Sequence, residues 1–471
     1  MLKAKPNPTP GRRRWDLPSG TKKKRFAELS SAEQFVFSFM GLIAFGTLGF
    51  KILPGLYQGA GLSWTDSLFT ATSAICVTGL IVVDTEKHFT IWGQAYILLL
   101  IQFGGVGVLT FASLIISALG GRPSLRAEQA VSGTQHHVAN VSAKKMIIDI
   151  LKFTLLCESL GALVLFLLWR PTMGSSAVWP AIFHSVSAFC NAGFSTNSQS
   201  LVPHVHSSAT LMTIAALIVL GGIGFVVMEE LVGYYRTDSK RLNRLSTHTK
   251  IVLSGTAILI FFPVFWFAMF EWNRTLEGLA WGDKLANAVF MSITPRTAGF
   301  NAIDYGKASD STNFLTIMLM SIGGSPGSTA GGMKVTAFML LMLLAWSRMR
   351  GRHGIIVFNR SIPEATIQQA MGLFVVMFTI SMFGVLLLQI ADDPLSQDSL
   401  IFQRAFEVVS AVNTVGLSMG ITPSLSVPAK LIAILLMFIG RVGPLALSSA
   451  VDSRLSQRED FRLAQEEVII G

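Results

Sequence analysis

Eight nearly charge-free stretches run along the chain, at roughly 34–56, 91–118, 147–169, 208–233, 249–270, 312–345, 366–390 and 427–450. At about 1.5 Å per residue, each is long enough to cross about 30 Å of hydrocarbon as a helix. A second kind of apolar segment lies between the odd and even stretches. It is about 12 residues long, too short to span, and ends in a turn of small residues. The four examples are Thr65–Leu80, Pro180–Ser195, Lys284–Asn301 and Phe402–Ser418. The pattern predicts an all-α membrane protein of eight transmembrane helices with four re-entrant half-helices.

Two landmarks recur in register. The short segments end in Cys76-Val77-Thr78-Gly79, Cys190-Asn191-Ala192-Gly193, Arg296-Thr297-Ala298-Gly299 and Asn413-Thr414-Val415-Gly416. Their glycines are spaced 114, 106 and 117 residues apart. The following apolar stretches carry Gly104-Gly105-Val-Gly107, Gly221-Gly222-Ile-Gly224, Gly323-Gly324-Ser-Pro-Gly327 and Gly440-Arg441-Val-Gly443, which begin 25, 28, 24 and 24 residues after those glycines. A double landmark repeated four times marks a tandem architecture. The units are span, half-helix, turn and span, at 34–120, 145–235, 248–346 and 365–451. A basic tail at 1–33 and a tail at 452–471 flank them.

Charge sets the orientation. Only 14% of residues are charged and 51% are hydrophobic, which excludes a disordered chain and most water-soluble enzymes. Of the Lys and Arg outside the spans, 25 fall in the tails and even-numbered links and 7 in the segments on the other side. By the positive-inside rule both termini are cytoplasmic. The net charge of +10 then reflects topology and contact with anionic lipid, so no nucleic-acid partner is expected. Three cysteines without a CxxC pair exclude a zinc ribbon or a disulfide framework. No cluster of His, Asp and Glu in the spans offers an enzyme site, Glu158, Glu229 and Glu230 lying apart near the cytoplasmic side.

Four re-entrant turns around one axis would present rings of backbone carbonyls to a dehydrating cation. Each half-helix would point its partly negative C-terminus inward. The sixteen residues of the four turns are therefore the candidate filter, with Gly79, Gly193, Gly299 and Gly416 allowing positive φ. For Gly104, Gly107, Gly221 and Gly224 alone, close helix packing is the simpler reading. A nucleotide-binding loop over Gly327–Lys334 fails, because the lysine falls one place late and Val335 follows it.

The stretch 312–345 would measure about 51 Å as one helix, and it contains Gly323, Gly324, Ser325, Pro326, Gly327, Ser328, Thr329, Ala330, Gly331 and Gly332. A broken helix with an irregular insert below the filter is predicted, its end anchored by Lys334. Arg441 replaces the second glycine of the motif, and a midspan arginine is expected to face a bundle interior or a water cavity. It is either a positive barrier beneath the filter or an anchor bonded to loop carbonyls.

On these turns, half-helices and glycine-rich second spans, the sequence resembles the Trk/Ktr/HKT superfamily of potassium transport proteins over nearly its whole length. Eight spans without two extra leading ones are most similar to the Ktr-type membrane subunit. The resemblance implies a K⁺ filter at the turn glycines and a gate formed by the 323–332 insert with Lys334 and Arg441. It also implies a homodimer and a cytoplasmic ring of RCK-type nucleotide-binding regulatory subunits. Uptake across the bacterial plasma membrane would be stimulated by Na⁺, with nucleotide acting only through the partner and no covalently bound cofactor. The rival class is a cation-coupled secondary transporter, although transporter repeats are usually inverted, whereas these four run in one orientation.

Overall fold

The computed structural model describes residues 31–107, 143–236, 245–352, 354–392 and 401–443. Most of the basic N-terminal tail, the link near 120–142 and the C-terminal tail lie outside the described residues, and with them the expected side of the two ends. The chain is mostly helical. One sequence of elements recurs four times: a long helix, a helix of 12 or 13 residues, a sharp turn, and a second helix.

The first repeat contains α1 (Ser31–Ile52), α2 (Trp64–Ile75), a short α3 (Thr85–His88) and α4 (Ile91–Val106). The second contains α5 (Ala143–Met173), α6 (Val178–Phe189), α7 (Ser208–Ile223) and α8 (Phe225–Arg236). The third contains α9 (Thr247–Glu271), α10 (Trp281–Ile293), α11 (Asp310–Met320) and α12 (Val335–Met349). A hairpin of β1 (Ile356–Val357) and β2 (Arg360–Ser361) leads to the fourth, α13 (Glu364–Ala391), α14 (Ile401–Val412) and α15 (Val427–Val442).

Local chemistry explains where these helices start. Ser63 Oγ accepts the Asp66 N–H at 3.0 Å and donates to the Asp66 carboxylate at 2.7 Å, capping α2 at both bonds. Thr90, Ser309 and Ser426 cap α4, α11 and α15 through their side-chain oxygens. The ends of the second helices show a regularity that the sequence reading did not anticipate. An interruption was expected only in the third repeat, yet α4, α7 and α15 also stop at glycines of positive φ: Gly107 at 86°, Gly224 at 95° and Gly443 at 84°. At Gly224 the path turns by 97° from α7 into α8. The third repeat carries the larger version, fourteen residues between α11 and α12.

These breaks change the count of unbroken spans. Among the described residues, Ile148–Phe189, Thr247–Glu271 and Glu364–Ala391 are long and apolar enough to cross a membrane, and the bent α7–α8 pair makes a fourth if taken as one span. Val36–Ile52, Ile91–Val106 and Val335–Met349 are shorter apolar helices. The expected runs 91–118 and 427–450 continue into residues outside those described. Outward faces are apolar: Phe261, Phe262 and Phe265 on α9, and Val375, Phe378 and Phe383 on α13, are exposed.

The core lies between repeats as much as within them. One buried cluster joins the first and fourth repeats, with Phe39, Phe69, Val408 and Met437. Another joins the second and third through Leu165, Ile214, Phe290 and Phe300. A third joins the third and fourth through Leu259, Met291, Phe406 and Val415. The first and last repeats are also tied by the Lys430–Asp66 ion pair at 2.8 Å.

Candidate functional site

Each short helix ends in a turn whose backbone departs from helix and strand alike. Val77, Asn191, Thr297 and Thr414 have φ of 56°, 58°, 64° and 50°, and Gly79, Gly193, Gly299 and Gly416 follow at 93°, 71°, 76° and 93°. Left-handed backbone at a β-branched valine or threonine is strained and persists only where the surroundings hold it. The amides are what hold it. Val77, Thr78 and Gly79 N–H donate to Ala74 O, Ser73 O and Ser73 Oγ at 3.2, 2.8 and 3.1 Å. Thr414, Val415 and Gly416 N–H donate to Ala411 O, Ser410 O and Ser410 Oγ at 3.1, 2.8 and 3.0 Å. In the other repeats Asn191 and Ala192 N–H, and Ala298 and Gly299 N–H, reach back to the same end of their helices.

A trans peptide points its C=O opposite its N–H. Amides turned back onto the helix therefore aim the carbonyls of residues 76–78 and 413–415 away from it, and those of residues 190–191 and 297–298 likewise. The four turns also close into a ring. A Cβ on Gly79 would meet Ala192 O at 2.3 Å, one on Gly193 would meet Ala298 O at 2.8 Å, one on Gly299 would meet Val415 O at 2.4 Å, and one on Gly416 would meet Thr78 O at 2.1 Å. The order runs first to second to third to fourth and back to first. On one side of the ring the four glycines line a vestibule of about 340 Å³, with Ser195, Asn301, Ser418 and Thr422.

Not every turn side chain faces that axis. Arg296 is buried and donates from Nη2 to Thr256 Oγ1 on α9 at 3.3 Å, so only its backbone belongs to the ring. Cys76 and Cys190 are fully buried. Cys190 Sγ lies 3.3 Å from Gln102 Oε1 and 3.8 Å from Glu158 Oε1, while Gln102 Nε2 donates to Glu158 Oε2 at 3.2 Å. Glu158, read from sequence as cytoplasmic-side, instead sits halfway along α5 against a turn residue.

The glycine motif acts directly behind the turns. A Cβ on Gly104, Gly221 or Gly440 would lie 1.9, 1.9 or 1.8 Å from Ile75 O, Phe189 O or Val412 O. These carbonyls end the short helices, so Gly104 and Gly221, like Gly440, let the second helix pack directly against the end of the short helix behind each turn.

On the side opposite the vestibule, the insert between α11 and α12 folds across the ring. Thr329 Oγ1 donates toward Phe189 O and Gly221 O at 3.2 and 3.1 Å. Ser325 N–H donates to Gly222 O at 2.9 Å, and Phe225 N–H donates to Gly327 O at 3.0 Å. Ser328 Oγ donates to Ser325 O at 2.6 Å, which tightens the Pro326–Gly327 bend. Gly323 and Gly324 pair with Met333 and Val335 across the base of the insert. Lys334 Nζ donates to Ala330 O at 2.7 Å, within the insert's own end. A Cβ on Gly331 or Gly332 would lie 1.9 Å from Thr414 Oγ1 or 3.0 Å from Asn413 O. Arg441 completes the closure, Nη1 donating to Thr329 O at 2.5 Å and Nη2 to Gly104 O at 2.6 Å. Among the described residues no carboxylate lies within ion-pair distance of Arg441, so its charge stands uncompensated there.

Sequence reading missed the hydroxyls that brace the turns. Ser73 and Ser187 Oγ donate to Leu80 O and Phe194 O at 2.7 and 2.8 Å, and Thr294 Oγ1 donates to Phe300 O at 2.7 Å. Ser410 accepts from Gly416. The signal was present: a serine six residues before the turn glycine in three repeats, and a threonine five before it in the third.

A family model described as TrkH, cation transport protein, matches residues 20–462. The chain belongs to this family. It is a family of cation transport proteins, not of enzymes, and its apolar helices make the chain a multi-pass membrane protein. The potassium/sodium uptake protein NtpJ of Enterococcus hirae is 34% identical, over 96% of this chain and 99% of that protein. The Ktr system potassium uptake proteins B of Bacillus subtilis and Vibrio alginolyticus are 36% and 35% identical, covering 87% and 92% of this chain and 90% and 93% of their own. The crystal structure of the potassium transporter TrkH from Vibrio parahaemolyticus is similar in fold, with a TM-score of 0.70 at 22% identity, over 90% of this chain and 85% of that one.

Proposed function

We propose that this chain is the K⁺-translocating membrane subunit of a bacterial Ktr-type uptake system. Its four repeats are span, half-helix, filter turn and span, at 34–120, 145–235, 248–346 and 365–451, with both termini in the cytoplasm. The observation that carries this reading is the closed ring of four turns, each with amides tied back to its own half-helix; in this reading the carbonyls left free turn to one axis. Such a ring replaces the hydration shell of a monovalent cation. The relatives named as potassium uptake proteins support K⁺ as that cation, and Na⁺ is proposed here as the activator of its uptake.

Hydrated K⁺ enters the vestibule, sheds water into the carbonyls of residues 76–79, 190–193, 296–299 and 413–416, and meets the 323–332 insert below. Arg441 and the insert together close the path, because an uncompensated positive charge at the filter's inner end repels the next cation. Opening withdraws the insert. The relatives named as parts of a Ktr system support control by a separate regulatory chain, an RCK-type nucleotide-binding ring acting on a homodimer.

The test is ion flux into liposomes holding the purified protein. Uptake that follows the K⁺ gradient alone, with Na⁺ poorly conducted, is expected. Strict dependence on a second ion gradient would replace this reading with coupled transport.

A further inference from the structure

Polar chemistry that neither the ring nor the insert uses lies behind the outer end of the turns. Nine residues before the turn glycine stand Thr70, His184, Phe290 and Glu407 in the four repeats, and two residues after it stand Ile81, Ser195, Asn301 and Ser418. His184 and Glu407 are buried, at 0% and 1% exposure. They belong to the second and fourth repeats, which face each other across the ring.

Both are linked outward to the serine of their repeat, His184 directly and Glu407 through Thr422. His184 Nδ1 lies 2.8 Å from Pro180 O, and a carbonyl only accepts, so Nδ1 carries a proton. Nε2 is left for Ser195 Oγ at 2.9 Å, and that oxygen accepts the Asn197 N–H at 2.9 Å. In the fourth repeat Glu407 Oε1 accepts from Thr422 Oγ1, which is 3.0 Å from Ser418 Oγ. Ser418 Oγ accepts the Gly420 N–H at 3.0 Å, the same two-residue step as Ser195 to Asn197. Ser195, Ser418 and Thr422 all line the vestibule. The first and third repeats lack the device, since Ile81 and Asn301 offer no hydroxyl at that place.

We propose that His184 and Glu407 form a diagonal pair of positioning residues that set K⁺ discrimination at the outer end of the filter, by holding Ser195 and Ser418 against the vestibule. This rests on the reading of the turns as a K⁺ filter. A filter discriminates through the number, spacing and rigidity of its oxygens, and the segment after each turn glycine fixes where the outermost carbonyls stand. Besides the hydroxyl braces to Leu80, Phe194 and Phe300 O, the second and fourth repeats add a link from a buried titratable side chain of the half-helix to the serine two places after the glycine. This added support is two-fold, although the ligands are four-fold.

The experiment measures the K⁺ over Na⁺ flux ratio and the thermal stability of the full-length protein in liposomes. His184→Leu, Ser195→Ala and Glu407→Leu are each expected to lower the ratio about fivefold to tenfold, the scale of one lost buried hydrogen bond. His184→Gln and Glu407→Gln keep an acceptor and are expected to restore it. Phe290→Leu, at the same register without a polar link, is expected to leave the ratio unchanged. An unchanged ratio in Ser195→Ala and Glu407→Leu, with flux still measurable, overturns the proposal. If a leucine variant fails to insert, Ser195→Ala and Thr422→Val decide the matter, because they remove the link and keep the buried group. Failure of the filter reading itself is seen separately, as a wild-type protein that does not prefer K⁺.

Discussion

Arg441 reaches across the repeats to the carbonyl of Thr329, Nη1 to O at 2.5 Å, and its second nitrogen holds Gly104 O at 2.6 Å. One guanidinium thus binds the insert of the third repeat and the second helix of the first, from a position in the fourth. The planar fork suits two carbonyls at once, which a lysine ammonium on one flexible stem does not.

If Arg441 latches the proposed gate, Arg441→Ala is expected to raise K⁺ flux in liposomes about tenfold, since hydrogen bonds to a charged group contribute about 1.5–3 kcal/mol. Arg441→Lys should fall between. Reduced flux together with loss of folded protein would make the residue an anchor instead.

Thr329→Val keeps the shape and removes the donor to Phe189 O and Gly221 O. Flux should rise about fivefold, the scale of about 1 kcal/mol from a neutral hydrogen bond. Deletion of 323–332 should raise it further. A deletion variant that folds, assembles and conducts less would remove the insert from the gate.

Gly193→Ser and Gly299→Ser place a Cβ 2.8 Å from Ala298 O and 2.4 Å from Val415 O on backbone of positive φ. Both should weaken discrimination against Na⁺, read as the ratio of K⁺ to Na⁺ flux, with Gly299→Ser the more severe. Equal ratios in variants and wild type would take these turns out of the filter.

Glu158→Leu strands Gln102 Nε2, leaving the Cys190 thiol with Gln102 Oε1 alone, and should destabilise by about 1–3 kcal/mol. Glu158→Gln retains an acceptor for Gln102 and should lose less. Thermal unfolding in detergent, followed by intrinsic fluorescence, orders the three proteins; a leucine variant as stable as wild type would show that the cluster bears no load.

Much of this was legible because it repeats. The turn glycines and the motif about 25 residues later stand out by register alone, and the half-helices by being too short to span. The long insert was visible as glycine and proline where a continuous helix had no use for them. What stayed hidden depends on three-dimensional proximity. Glu158 looks like an isolated charge until α5 is packed against α4 and α6. Arg296 resembles a pore residue until its guanidinium is seen turned to Thr256. Gly107 and Gly224 read as packing, and the break at Gly443 goes unmarked, because one glycine permits close approach and positive φ equally.

The insert that crosses the ring belongs to a single repeat, and the other three supply what it touches: Phe189 and Gly221 from the second, Asn413, Thr414 and Arg441 from the fourth, and through that arginine Gly104 from the first. A pore assembled from four identical chains has no room for such a device, because symmetry would bring four copies of it to one axis. Duplication within one polypeptide removes that restriction. Each quarter is free to specialise, so one supplies the insert and another the arginine that holds it, while the four turns keep nearly equivalent backbone.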